Sequence, residues 1–130
     1  MTVPTVPTFS AAALIAANTT FKVLLDAGAG AAFVRVRNSA DLLLAQIPLN
    51  DPCGTVSGTT GQITFSIAGP DTAADASGTA AYAEFCDSTG LVHLALPVQV
   101  GTSAVPGKAV LNTLTIVAGS PVTLIAATLG

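Results

Sequence analysis

Apolar residues recur every three to four positions early in this chain and every second position over most of the rest. Leu14, Ala17, Phe21, Leu24 and Leu25 fall on one face at helical spacing. Ser10 before them is a natural N-cap, and Gly28, just after Asp26 and Ala27, is a natural stop. The spacing predicts one helix of about four turns, with Asn18, Thr19 and Thr20 weakening its middle. Gly28 to Ala32 then connects it to a strand.

From there the period is two. Val34 and Val36 alternate with Arg35 and Arg37, a half-buried strand with both guanidinium groups on its wet side. A turn at Asn38–Asp41 leads to a strand over Leu42 to Leu49, where Pro48 implies a sheet edge. Asn50 to Gly61 reads as a loop of Asp, Pro, Gly, Ser and Thr. Ile63, Phe65 and Ile67 then alternate with Gln62, Thr64 and Ser66, the clearest strand in the chain. Gly69 to Ser77 reads as another loop, and Gly78 to Cys86 as a strand. Asp87-Ser88-Thr89-Gly90 is a turn signature that makes a hairpin with Leu91 to Val100, where Leu94 and Leu96 face the core. Short strands around Val110 and Thr115, a turn at Gly119-Ser120-Pro121 and a strand from Val122 to Leu129 complete the pattern.

Short strands separated by frequent turns predict a mainly β fold: an antiparallel β-sandwich of jelly-roll or Greek-key type, with one N-terminal α-helix. Residues 10–130 form that single domain. Residues 1–9 precede it as an extended arm, because Pro4 and Pro7 force extended backbone at and before themselves. Val3 and Val6 beside those prolines are then candidates to fill small pockets on a neighbouring subunit.

Composition sharpens the picture. Only 8% of the residues are charged and 51% are hydrophobic, against about 25% charged in ordinary domains. The surface must therefore expose Thr, Ser, Ala and Gly, which are cheaper to dry than charges when a neighbour covers them. That favours a chain that spends its time packed against copies or partners, with a freely soluble monomer as the alternative. The net charge is −3, and the four basic residues are spread over Lys22, Arg35, Arg37 and Lys108. Nucleic-acid binding needs a clustered basic footprint, so none is expected. Positions 1 to 21 hold no Lys or Arg, and the apolar run at Ala11–Ala17 is short. Neither a signal peptide nor a membrane span is expected.

Candidate chemistry is sparse. Cys53 and Cys86, 33 residues apart, match no metal spacing, and the chain's one His does not complete a tetrahedral site with them. They are expected to be free and partly buried, a disulfide being the alternative. Asp51, Asp71, Asp75 and Asp87 lie in predicted turns, where Asp caps backbone N–H groups. Calcium at Asp71, Thr72 and Asp75 lacks any loop signature. His93 near Cys86, Asp87 and Ser88 lacks a nucleophile elbow and reads as a surface histidine. Gly28-Ala29-Gly30 lacks the third glycine of a dinucleotide loop and is a connector. No catalytic residue, cofactor or metal is expected. Arg35 and Arg37 are a solvated sheet face or, alternatively, a pair of anchors for acidic groups of a partner.

The order Asp75-Ala76-Ser77-Gly78-Thr79-Ala80, an aromatic strand through Tyr82 and Phe85, the Asp87–Gly90 turn, an apolar strand, Leu111-Asn112-Thr113 and Ile116-Val117-Ala118-Gly119-Ser120-Pro121-Val122 resembles a family of small virion-associated proteins of tailed bacteriophages. The resemblance covers roughly residues 20 to 126. It implies a noncatalytic virion role, in a chain made in the host cytoplasm. The step to the capsid exterior is an inference from the compact β domain, the arm and the scarcity of charge: a decoration or cement protein, held by itself and by the major capsid protein. By analogy, decoration proteins of this size often sit as trimers at local threefold positions. The expected interface residues are Val3, Pro4, Val6, Pro7, Arg35 and Arg37. A tail, collar or head-to-tail connector protein is the alternative. A host carbohydrate-binding module is disfavoured by one Tyr and no Trp.

Overall fold

A computed structural model describes residues 9–130. The helix forms where the spacing places it, as α1 (Ala11–Asp26), with the Ser10 side chain accepting a hydrogen bond from the Ala13 N–H at 3.2 Å. Its inward face differs from the expected one. Ala17 and Leu24 point to solvent, while Asn18 and Leu25 are buried. Asn18 goes inward because its amide has backbone to serve: Nδ2 donates to the Gly61 carbonyl at 2.7 Å and the Leu129 carbonyl at 3.1 Å. A buried amide with two such partners replaces the apolar contact the pattern assigns to Ala17.

Nine strands follow: β1 (Phe33–Arg37), β2 (Leu43–Val56), β3 (Ile63–Ile67), β4 (Gly78–Thr79), β5 (Tyr82–Cys86), β6 (Val92–Val100), β7 (Ala109–Leu111), β8 (Thr115–Ile116) and β9 (Leu124–Leu129). Seven of them close into a barrel in the order β1-β2-β3-β9-β7-β6-β5, with β4 and β8 as a separate pair. The expected open antiparallel sandwich is therefore incorrect. Two features close the sheet. The stretch read as a loop after Leu49 continues β2 to Val56, so one 14-residue strand pairs with β1 through its first half and with β3 through its second. On the far side β6 meets β7 in parallel, through Val98↔Ala109 to Val100↔Leu111, which makes the barrel mixed. A strand shared by two would-be sheets leaves no edge there.

The other departures have local causes. The predicted Gly78–Cys86 strand breaks at Ala80 and Ala81, where the chain changes partner: the Ala80 N–H donates to Leu114 and the Ala81 N–H to Arg37. Pro48 marks a handover rather than a free edge. Before it, the second edge of β2 is served by the segment around Asp71–Ala76, with the Asp75 N–H donating to the Leu44 carbonyl at 2.8 Å and Asp71 Oδ2 accepting from the Gln46 N–H. After it, β3 takes over.

The core fills the barrel with Val34, Val36, Leu44, Ile47, Leu49, Ile63, Phe65, Phe85 and Leu111. Leu96 is buried as its alternation predicts, and so are Ile63 and Phe65 of the clearest strand; Leu94, expected to face the core, packs against it partly exposed, as does Ile67. Helix α1 packs against β2 and reaches this core through Phe21, whose ring meets Phe65 edge-on, with centroids 6.1 Å apart. Phe65 in turn lies 4.5 Å from Phe85. Among the described residues no helix is long and apolar enough to cross a membrane.

Candidate partner interface

Strands β1 and β5 pair in register, with Phe33 opposite Cys86, Arg35 opposite Glu84 and Arg37 opposite Tyr82. Because residues of a cross-strand pair share a face, these six form one patch on the outside of the barrel, opposite to Val34 and Val36 inside. The two arginines are not equivalent there. Arg37 Nε donates to Glu84 Oε1, and Arg37 Nη1 donates to the Asp41 carbonyl at 3.0 Å. Asp41 also accepts a hydrogen bond from the Tyr82 hydroxyl, which pushes the phenol up to about 12. The Glu84 hydrogen bond likewise raises the Arg37 guanidinium. Arg37 thus holds the Asn38–Asp41 turn to β5, a structural role within the chain.

Arg35 has no such role. Its guanidinium carbon lies 4.9 Å from the Phe33 ring centroid, in cation–π contact. Its Nε is buried and has no hydrogen-bond partner among the described residues. The bonds of Arg37 to Glu84 and to the carbonyl of the Asp41 turn, which separate the roles of the two arginines, were missed at the sequence level. The signal lay in the register between two strands far apart in the chain, which alternation alone does not give.

The outer face of α1 is a second surface without a partner among the described residues. Ala12, Ala13, Ala16, Ala17, Thr20, Val23 and Leu24 are exposed, Val23 by 64%. The helix's two charges do not serve that face: Lys22 Nζ lies 3.5 Å from Asp26, whose other oxygen accepts from the Cys53 N–H at 2.8 Å. A surface helix ordinarily places charges on its wet side. Val3, Pro4, Val6 and Pro7 lie outside the described residues.

The remaining candidates resolve into structure. Cys53 and Cys86 are free and buried. Burial, with Asp26 nearby, pushes the Cys53 thiol up to about 12, and burial raises Cys86 despite Arg35. Both thiols stay protonated at neutral pH, and it is the thiolate that reacts. Asp71 accepts from the Ala73 and Gln46 N–H groups, as a turn residue does.

Asp87 is the most heavily bonded carboxylate. Oδ1 accepts from the Thr89 N–H, the Thr89 hydroxyl and the Leu91 N–H, and Oδ2 lies 3.0 Å from His93 Nε2. His93 is therefore not a free surface histidine; it closes the β5–β6 turn. The Thr89 hydroxyl first, and His93 next, hold the Asp87 carboxyl well below the usual carboxylate range. A depressed carboxyl stabilises the fold above its unfolded pKa of about 3.9, and that contribution fades as pH falls toward the folded value. We expect melting temperature to fall from about pH 5 downwards, and to fall less steeply in Asp87→Asn. Identical acid slopes in the two proteins would refute this role for Asp87.

Compared with protein families, with curated proteins and with solved structures, the chain matches none.

Proposed function

We propose that this chain is a noncatalytic structural protein of a phage particle, a decoration or cement subunit on the capsid exterior that contacts copies of itself and the major capsid protein. The observation that carries the reading is the uncharged outer face of α1, which lies beside a barrel wall whose charges are mostly spent internally. Burying Ala, Thr, Val and Leu against another protein releases water at almost no cost in dried charge. The likeness of the Asp75–Ala80 and Ile116–Val122 segments to small virion proteins supports the same direction. A closed barrel also suits a subunit whose work is to hold its shape under load, because it leaves few open strand edges.

The role is thermodynamic. A subunit that binds the assembled lattice and not its separated parts stabilises the lattice by linkage, by about 2.7 kcal/mol per site at a hundredfold excess over Kd. Particles stripped of the protein should therefore open at lower temperature, and adding it back should restore the original value. Unchanged particle melting would overturn the cement role. Labelling of intact and emptied particles tests the location. Label over the whole capsid supports decoration, whereas label at one vertex or along the tail replaces it with a tail, collar or connector role. Deleting residues 2–8 tests the arm residues Val3, Pro4, Val6 and Pro7: weaker particle binding at an unchanged melting temperature supports them as contacts, and equal binding removes them.

A further inference from the structure

The chain has seven carboxylates and four cationic side chains, and most of them are matched within the fold. Asp26 serves Lys22 and the Cys53 N–H, Asp41 serves Tyr82, and Asp71 caps Ala73 and Gln46. Glu84 serves Arg37, and Asp87 serves its own turn and His93. Two carboxylates remain, Asp51 and Asp75, both exposed and without a side-chain partner among the described residues. Residues 1–8 contain no carboxylate that could take Arg35. Arg35 is thus left with a buried, unpartnered Nε although Glu84 stands directly opposite it, because Arg37 holds Glu84.

Arg35 is also held in place. Phe33 lies against one side, and on another side a Cβ at Gly90, whose φ is +91, would come within 3.3 Å of Arg35 Nη2. A guanidinium fixed in this way loses little side-chain entropy when it binds a carboxylate. Asp75 lies on the same wall. Arg35 pairs with Gln46 on β2, and the Asp75 N–H bonds Leu44 two residues along that strand. Arg35 and Asp75 do not pair with one another within the chain, and neither takes part in any ion pair among the described residues.

We propose that this wall is a self-association site, in which Arg35 of each copy takes the Asp75 carboxylate of a second copy across a two-fold axis. A two-fold axis near Gln46 makes both pairs at once, because an isologous contact repeats each residue pair. Of the exposed side chains around it, Gln46, Leu42 and Ala73 carry no charge, and the neighbouring carboxylates of Asp71 and Asp41 are engaged by the Gln46 N–H and the Tyr82 hydroxyl. The contact deepens the self-association part of the proposed function and replaces the threefold arrangement expected by analogy; it does not depend on the particle.

Sedimentation equilibrium from about 1 to 200 µM at low salt tests it, the range in which interfaces of modest area associate. Wild type should form dimers that weaken as salt rises. Arg35→Glu alone and Asp75→Arg alone should each raise the dissociation constant by about tenfold or more, because each sets like charges together twice. An equimolar mixture of the two variants restores both pairs and should dimerise again. Unchanged melting temperatures in the single variants exclude unfolding as the cause. Association unaffected by either variant, a mixture that stays monomeric, or rescue by Asp51→Arg in place of Asp75→Arg would each overturn the Arg35–Asp75 contact. The self-association reading then survives where wild type still associates; a wild type monomeric throughout removes both.

Discussion

Replacing Phe65 with alanine is expected to lower the unfolding free energy by about 3–5 kcal/mol. The ring is 4% exposed and stands between Phe21 of α1 and Phe85 of β5. Removing it opens a cavity bounded on both sides by aromatic rings that are themselves fixed, one by a helix and one by a strand paired on both edges. Such a site relaxes poorly, which places the loss toward the upper part of the range. Total stabilities of domains are about 5–15 kcal/mol, so the variant sits close to unfolding at ordinary temperature. Urea denaturation measures the loss directly, and Phe65→Leu serves as the smaller step at about 1–2 kcal/mol. Because Phe21 rests on the same ring, amide exchange in α1 should accelerate before exchange in β1. A loss below about 1 kcal/mol, or a helix no more mobile than in wild type, would show that α1 is held by other contacts.

Phe65 is also where the sequence was easiest to read. Its alternation with Thr64 and Ser66 places it inward without any knowledge of its neighbours, and the same holds for Val34 and Val36. Turns carried by side-chain geometry were equally readable. Asn38 Oδ1 accepts from the Ala40 and Leu42 N–H groups, and Asp87 does the same for Thr89 and Leu91. These are bonds within a few residues, set by the identity of one side chain.

What escaped the sequence depends on partners that are distant along the chain. Whether β2 ends at Leu49 or runs on to Val56 is decided by β3, which supplies carbonyl and N–H partners to a stretch that by composition looks like a loop. Pro48 and Pro52 lower strand propensity, and tertiary pairing overrides it. The closure of the barrel needs that continuation together with the parallel pairing of β6 and β7, another contact the local pattern does not give. The difference between Arg35 and Arg37 has the same origin: one strand of alternating Val and Arg treats them alike, and only the pairing with β5 shows Glu84, directly opposite Arg35, bonded diagonally to Arg37. Asn18 belongs here too, since a polar residue on the inner face of a helix makes sense only once the Gly61 and Leu129 carbonyls arrive.

Gly54 puts that reading of β2 to a direct test. A methyl group built on its backbone would stand 2.3 Å from the Thr64 carbonyl oxygen and 3.0 Å from the Phe65 Cα. Both are backbone atoms of the paired strand, so no side chain can swing aside to make room. Gly54→Ala should push β3 away from β2 at the point where Phe65 enters the core, costing about 3 kcal/mol. In a loop from Asn50 to Gly61 the same change would be nearly neutral or slightly stabilising, because alanine restricts the unfolded chain more than glycine does. Gly58→Ala provides the internal comparison: nothing lies within 4 Å of the added carbon, and its effect should stay within about 0.5 kcal/mol. Chemical denaturation of the two variants side by side decides the matter. If Gly54→Ala is as stable as Gly58→Ala, β2 does not continue past Leu49 in the way that closes the barrel. A large loss confined to Gly54 fixes the long strand, and with it the β2–β3 pairing on which closure depends.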